Sequence, residues 1–255
     1  MSEYEGFQFL EHGGGINGFI CGAVRVPAER VYVALLTNLE APKPDPNMLA
    51  FQLAAMVIGK PYTPPLAIEL PAEALQDYVG VYSINEREQR VVTCDAGQLY
   101  SQRTGGMRLK LIPYAQDAFF INEAVDRFIF LRGEDGKVNA MQLEHRLGPA
   151  ERSPKVDIPL PPARQSIQLD PAELERYTGV FELAPGMAIT VSLAEGVLYA
   201  QAGGQEKLAL LAETPERLFP REVELTLAYE FDQQGKAISL TLYQGSQTFV
   251  CKKVG

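Results

Sequence analysis

The sequence predicts a mainly β protein, in which two tandem antiparallel β-barrels follow a short unit of three strands and one helix. The segment from Leu70 to Tyr82 recurs from Leu169 to Phe181, an offset of 99 residues. Each copy continues as short apolar runs separated by Gly, Asn and Asp, which is typical of strands joined by hairpins. A repeat of this kind indicates two copies of one structural module. The first 60 residues show no such repeat and are predicted to form a separate unit.

The first unit contains a glycine-rich stretch from Gly6 to Asn38. It holds three apolar runs that we predict to be strands, at residues 7–10, 20–26 and 31–36. The last run is nearly all apolar, as expected of a strand buried on both faces. His12 and three glycines, residues 13–15, follow the first run. Because glycines carry no side chain, we expect the backbone N–H groups there to approach a ligand closely.

Several motifs share such glycines. Gly13, Gly15 and Gly18 match the G-x-G-x-x-G fingerprint of dinucleotide sites, but that fingerprint precedes a helix and here a strand-like run follows. His12-Gly13-Gly14-Gly15 also matches the oxyanion turn of lipase-type α/β-hydrolases, but no G-x-S-x-G follows it. The alternative without a catalytic role is a glycine-rich hairpin whose histidine faces solvent.

The order of motifs over residues 6–38 resembles the last part of the catalytic domain in serine β-lactamase-like hydrolases. This group includes class C β-lactamases, D-aminopeptidases and penicillin-binding-protein-like esterases. Its members have a strand ending in K-T-G or H-x-G, then G-F, a strand, a proline-marked turn and a strand ending in L-x-N or L-T-N. The matching residues here are His12-Gly13-Gly14, Gly18-Phe19, Pro27 and Leu36-Thr37-Asn38. The resemblance implies that His12 replaces the family lysine beside the nucleophile. It also implies that Gly14 belongs to this motif and that the Gly15 amide forms half of an oxyanion hole.

The same resemblance implies a nucleophile in S-x-x-K and a second motif Y-x-N, both before the H-x-G strand. Neither motif occurs anywhere in the sequence. We therefore expect the C-terminal portion of a hydrolase of amide or ester bonds in small peptides or β-lactam-like compounds. Such a portion is expected to be inactive alone, so its status as an enzyme stays open. The alternative is a non-enzymatic tandem module for interaction, substrate gating or assembly.

A helix from Met48 to Ile58, with Asn47 as its cap, is predicted to end the catalytic segment at residue 60. Four prolines between residues 60 and 71 then mark a linker, which we place at residues 61–69. The barrels are predicted at residues 70–147 and 168–255, with a proline-rich linker, residues 148–167, between them. Up-and-down closure leaves no open strand edge.

The Tyr-x-Gly-x-Tyr/Phe opening of each copy resembles the lipocalin-like domain often appended to this hydrolase family. D-aminopeptidases carry two such barrels after the catalytic domain, so the resemblance covers nearly the whole chain. Tyr78-Val79-Gly80-Val81-Tyr82 could form the lip of a ligand site, but barrel packing explains the same residues. His145 lies between Glu144 and Arg146 and is interpreted as part of a solvated charged edge.

Composition limits the partners. The net charge of −9 argues against nucleic acid and anionic membranes. No apolar run has the eighteen or so residues needed to span a bilayer. Two histidines and no clustered cysteines predict no metal site, and no cofactor is expected. Three strands and one helix cannot enclose a core, so we expect residues 1–60 to pack on the barrels, to bind a missing N-terminal catalytic half or to self-associate into a homo-oligomer. The family resemblance implies export in many members, but Met1–Glu5 is no signal peptide, and the compartment is left unassigned.

Overall fold

The computed structural model describes residues 1–16, 18–39, 42–121 and 125–254. The chain divides into two compact units, Met1–Ser101 with Leu109–Pro159 and Gln102–Arg108 with Leu160–Gly255. Gly255, the last residue of the predicted second barrel, lies outside the described residues. The predicted fold class is confirmed, because two closed eight-stranded antiparallel barrels follow a small sheet and a helix.

The small sheet contains four antiparallel strands in the order β1-β2-β3-β4, one more than predicted. Their bounds are β1 Ser2–Tyr4, β2 Phe7–Ile16, β3 Phe19–Val26 and β4 Val31–Thr37. The additional strand, β1, pairs only with Phe7–Phe9 at the start of β2. Three residues are too few to show an alternating pattern in the sequence, which is why β1 was not predicted.

Helix α1, Pro46–Val57, packs on one face of this sheet and buries Phe51, Ala54 and Ala55 against Phe9 and Val24. Its N-cap is Asp45, whose carboxylate accepts hydrogen bonds from the backbone N–H groups of Asn47 (2.9 Å) and Met48 (3.0 Å). The predicted cap, Asn47, is therefore wrong by two residues, because Pro46 occupies the first helical position and the acidic side chain precedes it. Along the described parts of the chain, no helix is both long and apolar enough to cross a membrane.

Barrel 1 begins with the short helix α2, Ala72–Gln76, and continues as eight strands. They are β5 Gly80–Ser83, β6 Gln89–Asp95, β7 Gln98–Arg103, β8 Arg108–Ala115, β9 Ala118–Phe120, β10 Arg127–Arg132, β11 Val138–Glu144 and β12 Glu151–Val156. The barrel closes where β12 pairs with β5, with Lys155 opposite Tyr82. Strand β12 lies in the stretch 148–167 that was expected to be a linker, and Pro154 sits within it opposite Ala140.

Barrel 2 has the same strand order, as the 99-residue repeat predicts. A 3-10 helix, Pro171–Tyr177, precedes its strands. They are β13 Gly179–Ala184, β14 Met187–Ala194, β15 Val197–Ala202, β16 Leu208–Thr214, β17 Arg217–Pro220, β18 Leu225–Phe231, β19 Ala237–Gln244 and β20 Gln247–Lys253. The register repeats too, since Gly80 lies opposite Val92 and Gly179 opposite Val191. The offset therefore holds in three dimensions.

The two barrels place an arginine differently over equivalent aromatic cores, in which Tyr78 and Tyr177 are buried. In barrel 1, Arg132 at the end of β10 bonds both Asp117 and Asp77, and its guanidinium lies over the Tyr78 ring. In barrel 2, the position equivalent to Asp77 is Arg176, and the position equivalent to Arg132 is Phe231. Arg176 lies 4.0 Å from the centroid of the Phe231 ring. The arginine that covers the aromatic core is thus on strand β10 in barrel 1 and in the 3-10 helix before the strands in barrel 2.

Candidate functional site

His12 lies on strand β2, on the face of the small sheet that points away from helix α1. Phe9 on the same strand is fully buried under the helix, and alternation along a strand sends His12 to the opposite face. His12 is exposed and lies opposite Ala23 of β3. The structure therefore presents the imidazole to solvent on a regular strand.

The face around His12 is apolar and uncovered by any described residue. The strand register places His12 opposite Ala23, and Ala23 opposite Ala34 of β4, so every second residue counted from these three lies on the same face. We call it the open face; its large apolar members and their exposed fractions are Leu10 36%, Ile16 75%, Phe19 56%, Tyr32 67% and Leu36 85%. Soluble monomers rarely expose contiguous apolar patches of this kind, which usually mark contact surfaces. The open face is therefore a surface suited to further polypeptide.

Gly13 serves the packing of helix α1 on the small sheet. It lies directly opposite Gly22 of β3, and both point towards the start of the helix. A Cβ on Gly13 would lie 2.5 Å from Asn47 Oδ1, and a Cβ on Gly22 would lie 2.6 Å from the Asn47 backbone nitrogen. Packing under helix α1 therefore accounts for glycine at residue 13, and the approach of a ligand to this backbone stays a prediction.

Gly14 and Gly15 lie further along the same strand and are both exposed. A Cβ on Gly14 would lie 3.2 Å from Cys21 Sγ, whereas a Cβ on Gly15 would make only ordinary contacts at 3.8 Å. Gly15 is therefore the glycine of the three with space around it. Its amide as half of an oxyanion hole stays a prediction, as does the catalytic role of His12.

The neighbour of His12, Glu11, forms a buried ion pair that sequence reasoning missed. Glu11 points to the helix side, where its side chain is 2% exposed and pairs with Arg146, which follows strand β11. The Ser2 hydroxyl donates to Glu11 Oε1 at 2.6 Å, and the Arg146 guanidinium lies 4.9 Å from the centroid of the Phe51 ring. One signal was available, since Glu11 falls on the apolar Phe7–Phe9 face of the predicted strand and a charge there needs a partner.

His145 is about a third exposed and does not belong to the same cluster as His12. Its Nδ1 lies 3.2 Å from Asp126 Oδ2, and the same carboxylate accepts the backbone N–H of Arg146 at 3.0 Å. The predicted charged edge thus contains a half-buried hydrogen-bonded pair that orients the segment carrying Arg146. The two histidines of the chain lie on different elements.

The Tyr-x-Gly motif at the start of each barrel contacts a lysine of the last strand of that barrel. Lys155 of β12 lays its side chain across Gly80, so that a Cβ on Gly80 would overlap with Lys155 Cε, and its Nζ donates to Asp77 O at 2.9 Å. Lys253 of β20 does the same at Gly179, with its Nζ 2.8 Å from Thr178 O. Both glycines have positive φ, +154° and +152°. Packing therefore explains why this motif needs glycine.

The tyrosines of the barrel 1 motif are buried and hydrogen-bonded to the backbone, and the Tyr78 hydroxyl accepts from the Asp117 N–H at 3.2 Å. Tyr82 Oη donates to Tyr78 O at 2.7 Å, and burial raises the pKa of Tyr82 well above its usual value. A cavity of about 330 Å³ opens at the mouth of this barrel, lined by Leu70, Gln98 and Phe119 among others, and neither tyrosine lines it. The hydroxyls therefore stay protonated and fix the backbone.

The fold and its motifs define a protein of two tandem β-barrels joined to a sheet–helix unit. The family described as "Domain of unknown function (DUF3471)" matches residues 64–157 and 163–252, once for each barrel. The chain belongs to this family, with two copies of the domain. Residues 1–63, which carry His12, lie outside both matches.

Known proteins resemble parts of the chain. Penicillin-binding protein 4* of Bacillus subtilis (strain 168) is 26% identical over 137 residues, which are 50% of this chain and 30% of that protein. Two solved structures, SurE with D-Leu and SurE, align with TM-scores of 0.35 and 0.34 at 22% and 21% identity. Each alignment covers 58% of this chain, together with 35% of the SurE chain with D-Leu and 34% of the other SurE chain. The chain thus spans about a third of the length of each of these proteins.

Proposed function

We propose that this chain is the C-terminal portion of a serine hydrolase of the β-lactamase and penicillin-binding-protein type. In the complete protein, that hydrolase cleaves amide or ester bonds of small peptides or β-lactam-like compounds. The distant similarity to Penicillin-binding protein 4* supports the broad class. The motif order of residues 6–38 supports assigning the sheet–helix unit to the catalytic domain.

The open face around His12 is the observation that carries the proposal. Its apolar side chains have no cover among the described residues, while the opposite face of the sheet is closed by helix α1. An apolar sheet face gains stability only when another layer covers it. A second part of the catalytic domain on this face would bring its nucleophile next to His12.

The chemistry assigned to this strand follows from its residue types. An imidazole exchanges protons near neutral pH, so His12 suits a partner that assists a serine nucleophile. The backbone N–H of Gly15 suits a donor to the developing oxyanion. The serine and its lysine must come from another polypeptide segment, because S-x-x-K is absent from this sequence. The chain alone is therefore inactive.

The test uses the purified chain with a chromogenic β-lactam, a p-nitrophenyl ester and a D-amino-acid amide. We expect no turnover and no covalent adduct with a fluorescent penicillin or a fluorophosphonate. A polypeptide encoded in frame before Met1 and carrying S-x-x-K and Y-x-N should restore turnover on mixing. His12→Ala should then lower the rate by about 10²-fold or more, as for loss of a proton-transfer group. Glu195→Ala, at an exposed turn of barrel 2, is the control and should leave the rate unchanged. A stoichiometric adduct on any serine of this chain alone would contradict the proposal.

A second candidate is a non-enzymatic tandem module for interaction or substrate gating. The observation that favours it is the family match, which takes in both barrels and leaves out the His12 strand. In that case, adding the upstream polypeptide would restore no turnover. Pull-down from extracts would then retain the same partner with wild-type chain and with His12→Ala.

A further inference from the structure

Strand β4 lies at one end of the small sheet and has a neighbouring strand on one side only. All of its residues pair with β3, from Val31 opposite Val26 to Thr37 opposite Ile20, without a register shift. Among the described strands, none pairs with its other side. An edge strand directs the N–H and C=O groups of alternate residues outwards, where a further strand can bind them. The free side of β4 is therefore a backbone surface that fits another extended strand.

Strand β4 also lacks the features by which natural proteins keep edge strands from pairing, which are charged side chains, proline, bulges and short length. Val31–Thr37 contains neither a charged residue nor proline, and its pairing with β3 has no bulge. By contrast, β1 at the opposite end of the sheet is three residues long and carries Glu3. The part of β2 beyond its pairing with β1 contains Gly13–Gly15, and glycine weakens a strand. Of these edges, β4 is therefore the one that favours pairing.

The residue pattern of β4 is complementary to itself. In an antiparallel pair with Ala34 of each copy at the centre, Tyr32 of one copy would lie opposite Leu36 of the second copy. Tyr32 and Leu36 are 67% and 85% exposed, and in this pair each would shield the other from water. On the side of helix α1, Val33 would lie opposite Leu35 of the second copy. A register shifted by two residues would leave two residues of each strand unpaired and would separate Tyr32 from Leu36.

The residues that flank β4 fit the same register. Arg30 would lie opposite Asn38 of the second copy, and Glu29 opposite its Leu39, so no like charges would face each other. The pair is isologous, because each copy contributes the same strand about a two-fold axis. It uses the β4 edge of both copies, so this contact stops at two chains.

We propose that two copies of this chain pair through β4, antiparallel about Ala34, and join their small sheets into one. A second copy is favoured over a different protein because this register matches every residue of β4 with a residue of β4. The contact lies at the edge of the sheet, so it does not depend on the polypeptide proposed to cover the open face. One added strand makes a small interface, so the association should be weak and should increase with concentration.

The first test is sedimentation velocity of the full chain from micromolar to submillimolar concentration, where the mass should rise from one chain to two. Ala34 is exposed, so the single chain should tolerate a charge there. Ala34→Lys and Ala34→Glu each place like charges opposite each other at the two-fold axis and should raise the Kd by about tenfold or more. An equimolar mixture of the two variants places opposite charges there and should restore the pair. A wild type that stays a single chain throughout, or a mixture that stays dissociated, overturns the proposal.

The matched control is Ile16→Lys, which adds the same charge to the open face on β2, two strands away from β4. It should leave the Kd unchanged. Dissociation of the pair by Ile16→Lys would show that the copies meet through their open faces, which overturns pairing at the edge.

Hydrogen exchange of the wild type gives a second readout that needs no variant. Amides of alternate β4 residues should exchange more slowly as the concentration rises, whereas those of β1 should not change. A chain that stays single alone, yet gains this protection when an upstream polypeptide carrying S-x-x-K is added, would assign the β4 edge to that polypeptide and overturn the proposal.

Discussion

The guanidinium of Arg146 lies over the ring of Phe51, 4.9 Å from its centroid, and pairs with Glu11, the neighbour of His12. Arg146 follows the seventh strand of barrel 1, whereas Phe51 belongs to helix α1 of the small sheet. The strand that carries His12 is therefore held from its covered side by a residue 135 positions away in the chain.

Removing this arginine should destabilise the sheet–helix unit. Arg146→Ala leaves Glu11 buried without its cation, and a broken buried pair costs about 3–5 kcal/mol. We expect a lower unfolding temperature by calorimetry and faster hydrogen exchange along β2. The double variant Glu11→Leu with Arg146→Met should recover much of the loss, because apolar residues replace the pair. Arg152→Ala, on the exposed side of β12, is the control and should change stability by less than about 0.5 kcal/mol. An equal loss in the control would argue against a specific pair.

Alanine substitutions at two glycines under helix α1 should differ in whether a second substitution, Asn47→Ala, restores stability. Alanine at residue 13 would meet the Asn47 side chain, whereas alanine at residue 22 would meet the Asn47 backbone. Gly13→Ala and Gly22→Ala should both destabilise the chain, by about 1–3 kcal/mol as for overpacking. Asn47→Ala should restore stability to Gly13→Ala only. Denaturant unfolding of the four variants measures this, and rescue of Gly22→Ala would contradict the assigned contact.

The lysine across Gly80 predicts a non-additive pair. Gly80→Ala places a methyl group where the Lys155 stem lies and forces alanine to a positive φ of about +154°. We expect a loss of about 2 kcal/mol or more. Lys155→Ala relieves the overlap but not the backbone strain, so the double variant should lose less than the sum of the single variants. Gly15→Ala, whose added Cβ has space, is the control for a glycine substitution in a strand. Strict additivity would show that Lys155 does not occupy the space above Gly80.

An ion pair in barrel 2 predicts a pH dependence of stability. Arg164, in the stretch expected to be a linker, donates to both Glu213 oxygens at 3.3 and 3.1 Å, and this lowers the pKa of Glu213 below its usual value near 4.5. A carboxyl whose pKa falls on folding stabilises the fold above its unfolded pKa and loses that effect as pH falls through the folded pKa.

Glu213→Gln should therefore be less stable than the wild type at pH 7, and the difference should shrink steadily below pH 4.5. Thermal unfolding at pH 7, 5, 4 and 3 measures the difference. Glu195→Gln, at an exposed turn, is the matched control. A difference for Glu213→Gln that persists unchanged at pH 3 would show that the carboxylate charge is not responsible.

The barrels were predictable because repetition and alternation are local properties that the sequence displays twice. Strand β12 was not predicted, since Pro154 resembles a linker residue and its pairing with Ala140 depends on the closed barrel. The helix cap moved to Asp45 for a local reason, the proline that follows it. The closed barrels were thus predicted, whereas the strand that completes barrel 1 was not.

The candidate site was predicted less completely. His12, Gly14 and Gly15 lie together on β2. The packing role of Gly13 was missed, because the sequence does not show that a side chain at residue 13 would collide with Asn47. Arg146 was missed because its partner Glu11 is far away in sequence and adjacent only after folding. Roles that depend on contacts between distant segments need the structure.

The exchanged arginines of the two barrels have a consequence for folding. Tandem repeats of similar sequence are prone to misassembly, in which a segment of one copy joins the other. If the turn with Arg176 entered barrel 1, its guanidinium would meet Arg132 at the site where Asp77 normally sits. If the turn with Asp77 entered barrel 2, the Asp77 carboxylate would face Phe231, which stands where barrel 1 has Arg132. The copies have diverged into mutually exclusive pairs, so each turn is selected by its own strand.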